Sequence, residues 1–247
     1  ANTVVVVAST YIMDIVNQLK DMGFELWFPI AKILRDLNLD ELRNGAVRHF
    51  DRFVVDNVIT SQEKYLDDSL LYIRSIDLII TEKCSLKCKD CSNLMQYYEN
   101  PVNIGLEELV ADLEDLCAVA DEINEIRVIG GEPFVNKDFH KVIEKAAEFG
   151  KVNKIVVYTN GTIAPPEEKI QALQGKNVFV SITNYDRLSR NLTGLVALLD
   201  KYGIAHNVQN AYGWTDCASI EHHQRPEAAL QQMFTMCCAK HFSTMTG

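Results

Sequence analysis

Ile76-Asp77-Leu78-Ile79-Ile80-Thr81 runs into Cys84-Ser85-Leu86-Lys87-Cys88-Lys89-Asp90-Cys91, and this junction organises the reading of the chain. The apolar run has the length and β-branched content of a buried strand. The three cysteines that follow are spaced C-x3-C-x2-C within eight residues. Thiolates are soft ligands suited to iron–sulfur clusters or zinc. A [4Fe–4S] cluster on three cysteines leaves one iron without a protein ligand, free to bind a small molecule. Zinc usually takes four ligands in paired knuckles, and no C-x2-C partner pairs cleanly with this loop. A core role for the cysteines is opposed by Lys83, Lys87, Lys89 and Asp90, which make the loop polar.

Downstream, the pattern alternates. Strands are predicted at 76–81, 125–129, 154–158, 177–182 and 204–208, and helices at about 105–119, 137–149, 166–173 and 191–202. Alternation of this kind makes a parallel sheet with right-handed crossovers. Five units and room for a sixth are too few for a closed eight-stranded barrel and suit an open, partial one. In such folds the chemistry sits at the carboxyl ends of the strands. Four segments fall there: the cysteine loop, Gly130-Gly131-Glu132-Pro133, Thr159-Asn160-Gly161, and the end of the strand carrying Ser181.

Taken in order, these segments resemble the radical S-adenosylmethionine (AdoMet) enzymes. The resemblance covers most of residues 75–236 and implies a partial (β/α)6 TIM-like barrel. It implies that Cys84, Cys88 and Cys91 ligate a [4Fe–4S] cluster whose open iron binds AdoMet. Electron transfer then cleaves the cofactor to a 5′-deoxyadenosyl radical, which abstracts hydrogen from a peptide, sugar or small-molecule substrate. Gly130, Gly131, Glu132 and Pro133 are expected at the AdoMet methionine, with Glu132 paired to its ammonium. Thr159, Asn160, Ser181 and Arg190 are expected at its ribose or carboxylate, with Arg187 a further candidate. Each has an ordinary alternative: a strand-to-helix turn for the glycines, a turn pair for Asn160-Gly161, a solvated helix start for the arginines. One departure stands out, since the family often carries an aromatic residue where this chain has Asp90.

Cys237 and Cys238 resemble the opening of a C-terminal SPASM or twitch extension over 237–247, which implies an auxiliary iron–sulfur cluster; buried free thiols are the alternative. Cys217 is a candidate hydrogen donor or auxiliary ligand, and Cys117, on an apolar helical face, reads as core. Tyr97, Tyr98 and Trp214 are candidate walls of the substrate site, and His222 and His223 read as exposed. The lysines at 83, 87 and 89 suit docking of a flavodoxin- or ferredoxin-type reductant.

Residues 1–74 form a separate α/β segment similar to part of a Rossmann-like unit, with a strand near 3–8, a helix at 11–22 and further helices at 31–37 and 62–71. Ser9 and Thr10 end the strand, as a ligand contact or as an ordinary capped turn. The 247 residues carry a net charge of −10, which argues against a general nucleic-acid backbone binder. No apolar run nears the ~20 residues that cross a bilayer. Seven cysteines, odd in number and clustered, point to a reducing cytoplasm rather than a secreted disulfide framework. The ends suggest a piece of a longer product. Two other functions remain open at this level: a non-catalytic iron–sulfur electron carrier, and a zinc-stabilised interaction module.

Overall fold

The computed structural model describes residues 3–9, 11–42, 49–67, 69–211, 223–237 and 243–246. Thr10, Trp214, Cys217, His222 and Cys238, all singled out above, lie outside the described residues.

The first unit is a small β-α-β motif. Strand β1 (Val5–Val7) pairs in parallel with β2 (Trp27–Pro29), and helix α1 (Ile12–Asp21) makes the crossover. Ile12 and Val16 pack on Val7, with Leu19 and Trp27 around them. Two short helices, α2 (Ala31–Leu34) and α3 (Leu39–Leu42), lead to the longer α4 (His49–Tyr65). Gln62 on α4 is fully buried and ties the unit together. Its amide donates to the carbonyls of Val7 and Ser9, both at 2.8 Å, and accepts from Ala31 N–H at 2.9 Å. The amide thereby links β1, the turn after it and the start of α2 to α4.

The second unit is an all-parallel sheet. Its strands are β3 (Tyr72–Ile73), β4 (Ile76–Ile79), β5 (Glu122–Ile129), β6 (Val152–Thr159), β7 (Val178–Asn184), β8 (Ala205–Asn210) and β9 (Ser243–Thr246). The order is β8-β7-β6-β5-β4-β9, with β3 also against β5. Helices α5 (Leu106–Val119), α6 (Phe139–Glu148), α7 (Glu167–Gln171) and α8 (Leu192–Lys201) alternate with the strands, as expected. Their apolar faces meet the sheet in one core that includes Leu78, Leu109, Leu113, Ile126, Val128, Ile143, Val157 and Leu195. Cys117 belongs to that core, as its place on α5 implied. Helix α9 (Glu227–Met236) precedes β9 in the chain.

The architecture is thus the parallel α/β, partial-barrel class with a small α/β segment before it. Several placements differ from the sequence expectation, among them β2 and β3, which it did not contain, and α2, which stops at Leu34. The helix expected over 62–71 starts at His49 and stops at Tyr65, where Asp67 caps a turn by accepting from Ser69 N–H at 3.1 Å. Strand β9, not foreseen in the sequence, pairs with β4, Ile76 opposite Ser243 through Ile79 opposite Thr246. Polar side chains fasten α4 to the sheet: Asn57 accepts from Lys154 Nζ at 2.6 Å and from Asn124 Nδ2 at 2.9 Å. Among the described residues no helix is long and apolar enough to cross a membrane.

Candidate active site

The loop after β4 is held by backbone contacts with the segment after β5. Gly131 N–H donates to the Thr81 carbonyl at 3.0 Å and Glu132 N–H to the Lys83 carbonyl at 2.9 Å. Two chains this close leave no room for a side chain. A Cβ on Gly130, whose φ is +150°, would fall 2.2 Å from Thr81 O; one on Gly131 would fall 2.2 Å from Lys83 O and 2.8 Å from Cys84 Cβ. The glycine pair is therefore required by close approach as well as by turn geometry. Asn93, two residues past the last cysteine, donates to the Gly130 carbonyl at 3.2 Å and closes the loop from its other end.

Cys84, Cys88 and Cys91 are half-buried and free of disulfides. Lys83, Lys87 and Lys89 alternate with them on the exposed side. The Cys84 sulfur accepts from Leu86 N–H at 3.5 Å and from Asn160 Nδ2 at 3.8 Å. Burial pushes the Cys84 and Cys88 thiols up, and neighbouring thiols add to it. A nearby metal centre reverses that tendency, since a coordinating thiol is deprotonated outright. Among the described residues no three or more His, Cys, Asp or Glu side chains gather closely enough to hold a single metal ion. A cluster offers a separate iron to each thiolate, so it needs sulfurs around a volume rather than a point. Three free thiols on one loop, with N–H donors to sulfur and a glycine cradle behind, fit such a group.

Glu132 is fully buried. Its Oε1 accepts from Thr159 Oγ1 at 2.7 Å and from Phe134 N–H at 3.3 Å, and its Oε2 from Asn160 N–H at 2.8 Å. In the structure these partners hold the end of β6 against the end of β5 through the carboxyl. Burial raises its pKa to about 7, although the three donors oppose the shift. The sign follows from linkage. The folded state retains the proton between about 4.5 and 7, so this group's stabilisation is full at low pH and is lost as pH rises through that window. Glu132→Gln removes the loss. Urea unfolding of the apo-protein should show wild type losing about 3 kcal/mol relative to the variant between pH 4.5 and pH 8, and parallel profiles would contradict the assignment.

Asn160 joins the parts. Besides reaching Cys84, its side chain donates to Ser85 Oγ at 3.2 Å and accepts from Thr162 N–H at 3.0 Å. Ser85 and Thr162 hydroxyls meet at 2.6 Å. Between the strand ends lies a cavity of about 330 Å³ whose lining includes Gly130, Gly131, Thr159 and Asn160, a size in the range of small-molecule sites. Pro133 and Ser181 are buried and outside that lining, and Arg187 and Arg190 are exposed and outside it as well. Tyr97 and Tyr98 are 58% and 45% exposed and do not wall the cavity. Cys237 is exposed at the end of α9, and His223 is exposed as expected.

The rings that do wall the cavity are Tyr158 and Tyr185, with Asp77, Arg127 and Thr183 also in the lining. The sequence reading missed these. Asp77 and Arg127 face each other across β4 and β5 as an ion pair of 2.5 Å. Opposite charges at facing positions, Asp77 within an otherwise apolar β4 and Arg127 between Ile126 and Val128 of β5, were the available signal.

Residues 78–208 match the family model described as the radical SAM superfamily. A GTP 3′,8-cyclase of Clostridium acetobutylicum is 28% identical over 138 residues, covering 49% of this chain and 43% of the relative. A GTP 3′,8-cyclase of Stenotrophomonas maltophilia is 30% identical over 151 residues, covering 55% of this chain and 44% of the relative. The chain thus spans less than half the length of these curated relatives. Among solved structures, one described as native anSMEcpe with bound AdoMet aligns at a TM-score of 0.44 and 19% identity, covering 54% of this chain and 42% of that one.

Proposed function

Because the chain belongs to the radical SAM superfamily, we propose that it cleaves AdoMet reductively and passes the resulting radical to a nucleotide, with GTP the first substrate to test. The observation that carries the chemistry is the close packing of the Gly130–Glu132 backbone on the cysteine loop, which brings the cysteine loop to one edge of the cavity. When bound, the [4Fe–4S] cluster supplies one electron that breaks a sulfonium C–S bond of AdoMet, leaving methionine and a 5′-deoxyadenosyl radical. The chemistry it would supply is abstraction of a hydrogen atom from substrate carbon, with 5′-deoxyadenosine as the coproduct. The chain's own residues bind and orient. Cys84, Cys88 and Cys91 hold the cluster, and Gly130 and Gly131 let the cofactor approach backbone. Thr159 and Asn160, fixed by Glu132, present small polar groups to the cavity.

GTP comes to this reading from the named activity of the relatives, which align over about half of this chain. Lys83, Lys87 and Lys89, exposed beside the cysteines, suit an acidic flavodoxin or ferredoxin as electron donor in a reducing cytoplasm. An auxiliary cluster at Cys237 and Cys238 would raise iron from about four to about eight per chain. The test of the substrate is 5′-deoxyadenosine yield from the reconstituted protein with and without GTP. A severalfold rise with GTP supports the reading. A rise with a peptide or sugar and none with GTP overturns the substrate and leaves the cleavage standing.

A further inference from the structure

AdoMet carries a flat adenine, and a flat base is held best by a flat side chain. Two rings line the cavity. Tyr158 is hydrogen-bonded to Arg127, on the side where Arg127 meets Asp77. Tyr185 lies one residue past the end of β7. It is half-buried and lines the cavity together with Gly130 and Gly131, the pair whose backbone packs on the cysteine loop. Asp90 is exposed on the loop and carries no ring that could serve instead.

The position of Tyr185 is held by a relay of hydrogen bonds. Tyr185 N–H donates to Ser189 Oγ at 2.8 Å, and Ser189 Oγ donates to the Asn160 carbonyl at 2.6 Å. Ser189 is only 4% exposed. Asn160 in turn is held by Glu132 and reaches the Cys84 sulfur. The next residue, Asp186, has a φ of +50°, a conformation that non-glycine residues adopt at a cost and keep where the surroundings impose it. Its N–H is capped by Asn184 Oδ1 at 2.9 Å. The turn from 184 to 189 is built to present the tyrosine.

We propose that Tyr185 is a positioning residue for AdoMet, its ring forming the wall against which the adenosyl group is held beside the cysteine loop. This rests on the radical SAM reading and extends it to a residue outside the family's matched motifs. It predicts that the flat ring matters and the hydroxyl does not. Base–aromatic stacking is worth about 1–3 kcal/mol per base, or about fivefold to 150-fold in affinity.

The test is an AdoMet titration of the full chain after anaerobic reconstitution and reduction, read as the change in the cluster's electron paramagnetic resonance. Tyr185→Phe should bind AdoMet within about threefold of wild type, and Tyr185→Leu about tenfold or more weakly at equal iron and sulfide content. Equal affinity of Tyr185→Leu and wild type overturns the proposal. A wild type whose spectrum AdoMet does not perturb fails the radical SAM reading itself, and the proposal falls with it. Should Tyr185→Leu take up no cluster, Tyr185→Trp decides: AdoMet should quench its added fluorescence over wild type, and an unchanged signal overturns the proposal.

Discussion

Replacing Cys88 with alanine removes the cluster and with it all reductive cleavage of AdoMet, while the sheet stays folded. The argument is one of ligand count. Each cysteine of the loop serves one iron, and three thiolates already leave one iron open. Losing one of the three leaves two sulfurs on a half-buried loop, too few to retain a cluster through reduction. Iron should fall by about four per chain, and 5′-deoxyadenosine should drop below detection, a loss of at least about a thousandfold. Cys88 is only half-buried and is not part of the sheet's apolar core. The stability of the apo-protein should therefore change by no more than about 0.5 kcal/mol. Cleavage retained in the variant would sink the ligand assignment.

Gly131→Ala should be nearly as damaging without touching a ligand. Its Cβ would lie 2.2 Å from the Lys83 carbonyl oxygen and 2.5 Å from the carbonyl carbon, and both are backbone atoms that cannot rotate away. The strand end and the cysteine loop must separate, which breaks the Glu132 N–H bond to Lys83 and displaces Cys84. Forced repacking of this kind costs about 3 kcal/mol. Urea unfolding of the apo-variant should show that loss, and cluster uptake should fall severalfold or more. A variant as stable as wild type with full iron content would mean that the close approach is not needed.

The barrel was legible because its strands are continuous apolar runs and each site segment follows one. Ile76, Leu78 and the run Lys154–Val157 are buried, as expected of parallel strands covered by helices. The same logic found Cys84, Gly130 and Asn160 at strand ends. Helix α4 was harder, because Val54, Val55, Val58, Ile59 and Thr60 are β-branched and lower helix propensity. Its helical state depends on tertiary ties such as Gln62 and Asn57. Strand β9 is four residues whose place beside β4 is set by a pairing far apart in the chain, which no local pattern carries. Glu132 was legible as a residue at the strand ends. A GGEP segment does not say which protein groups its carboxyl meets, and here Thr159 and Asn160 at the end of β6 and Phe134 after β5 donate to it. Tyr185 was passed over because its importance comes from the Ser189 and Asn160 bonds that place it.

The measurement that bears most directly on the account is anaerobic reconstitution of the chain with iron and sulfide, followed by dithionite and AdoMet, with 5′-deoxyadenosine assayed by mass. The account predicts 5′-deoxyadenosine from wild type and none from Cys88→Ala. A fully loaded, reduced cluster that yields no 5′-deoxyadenosine, with GTP present or absent, would contradict it and leave an electron carrier in its place.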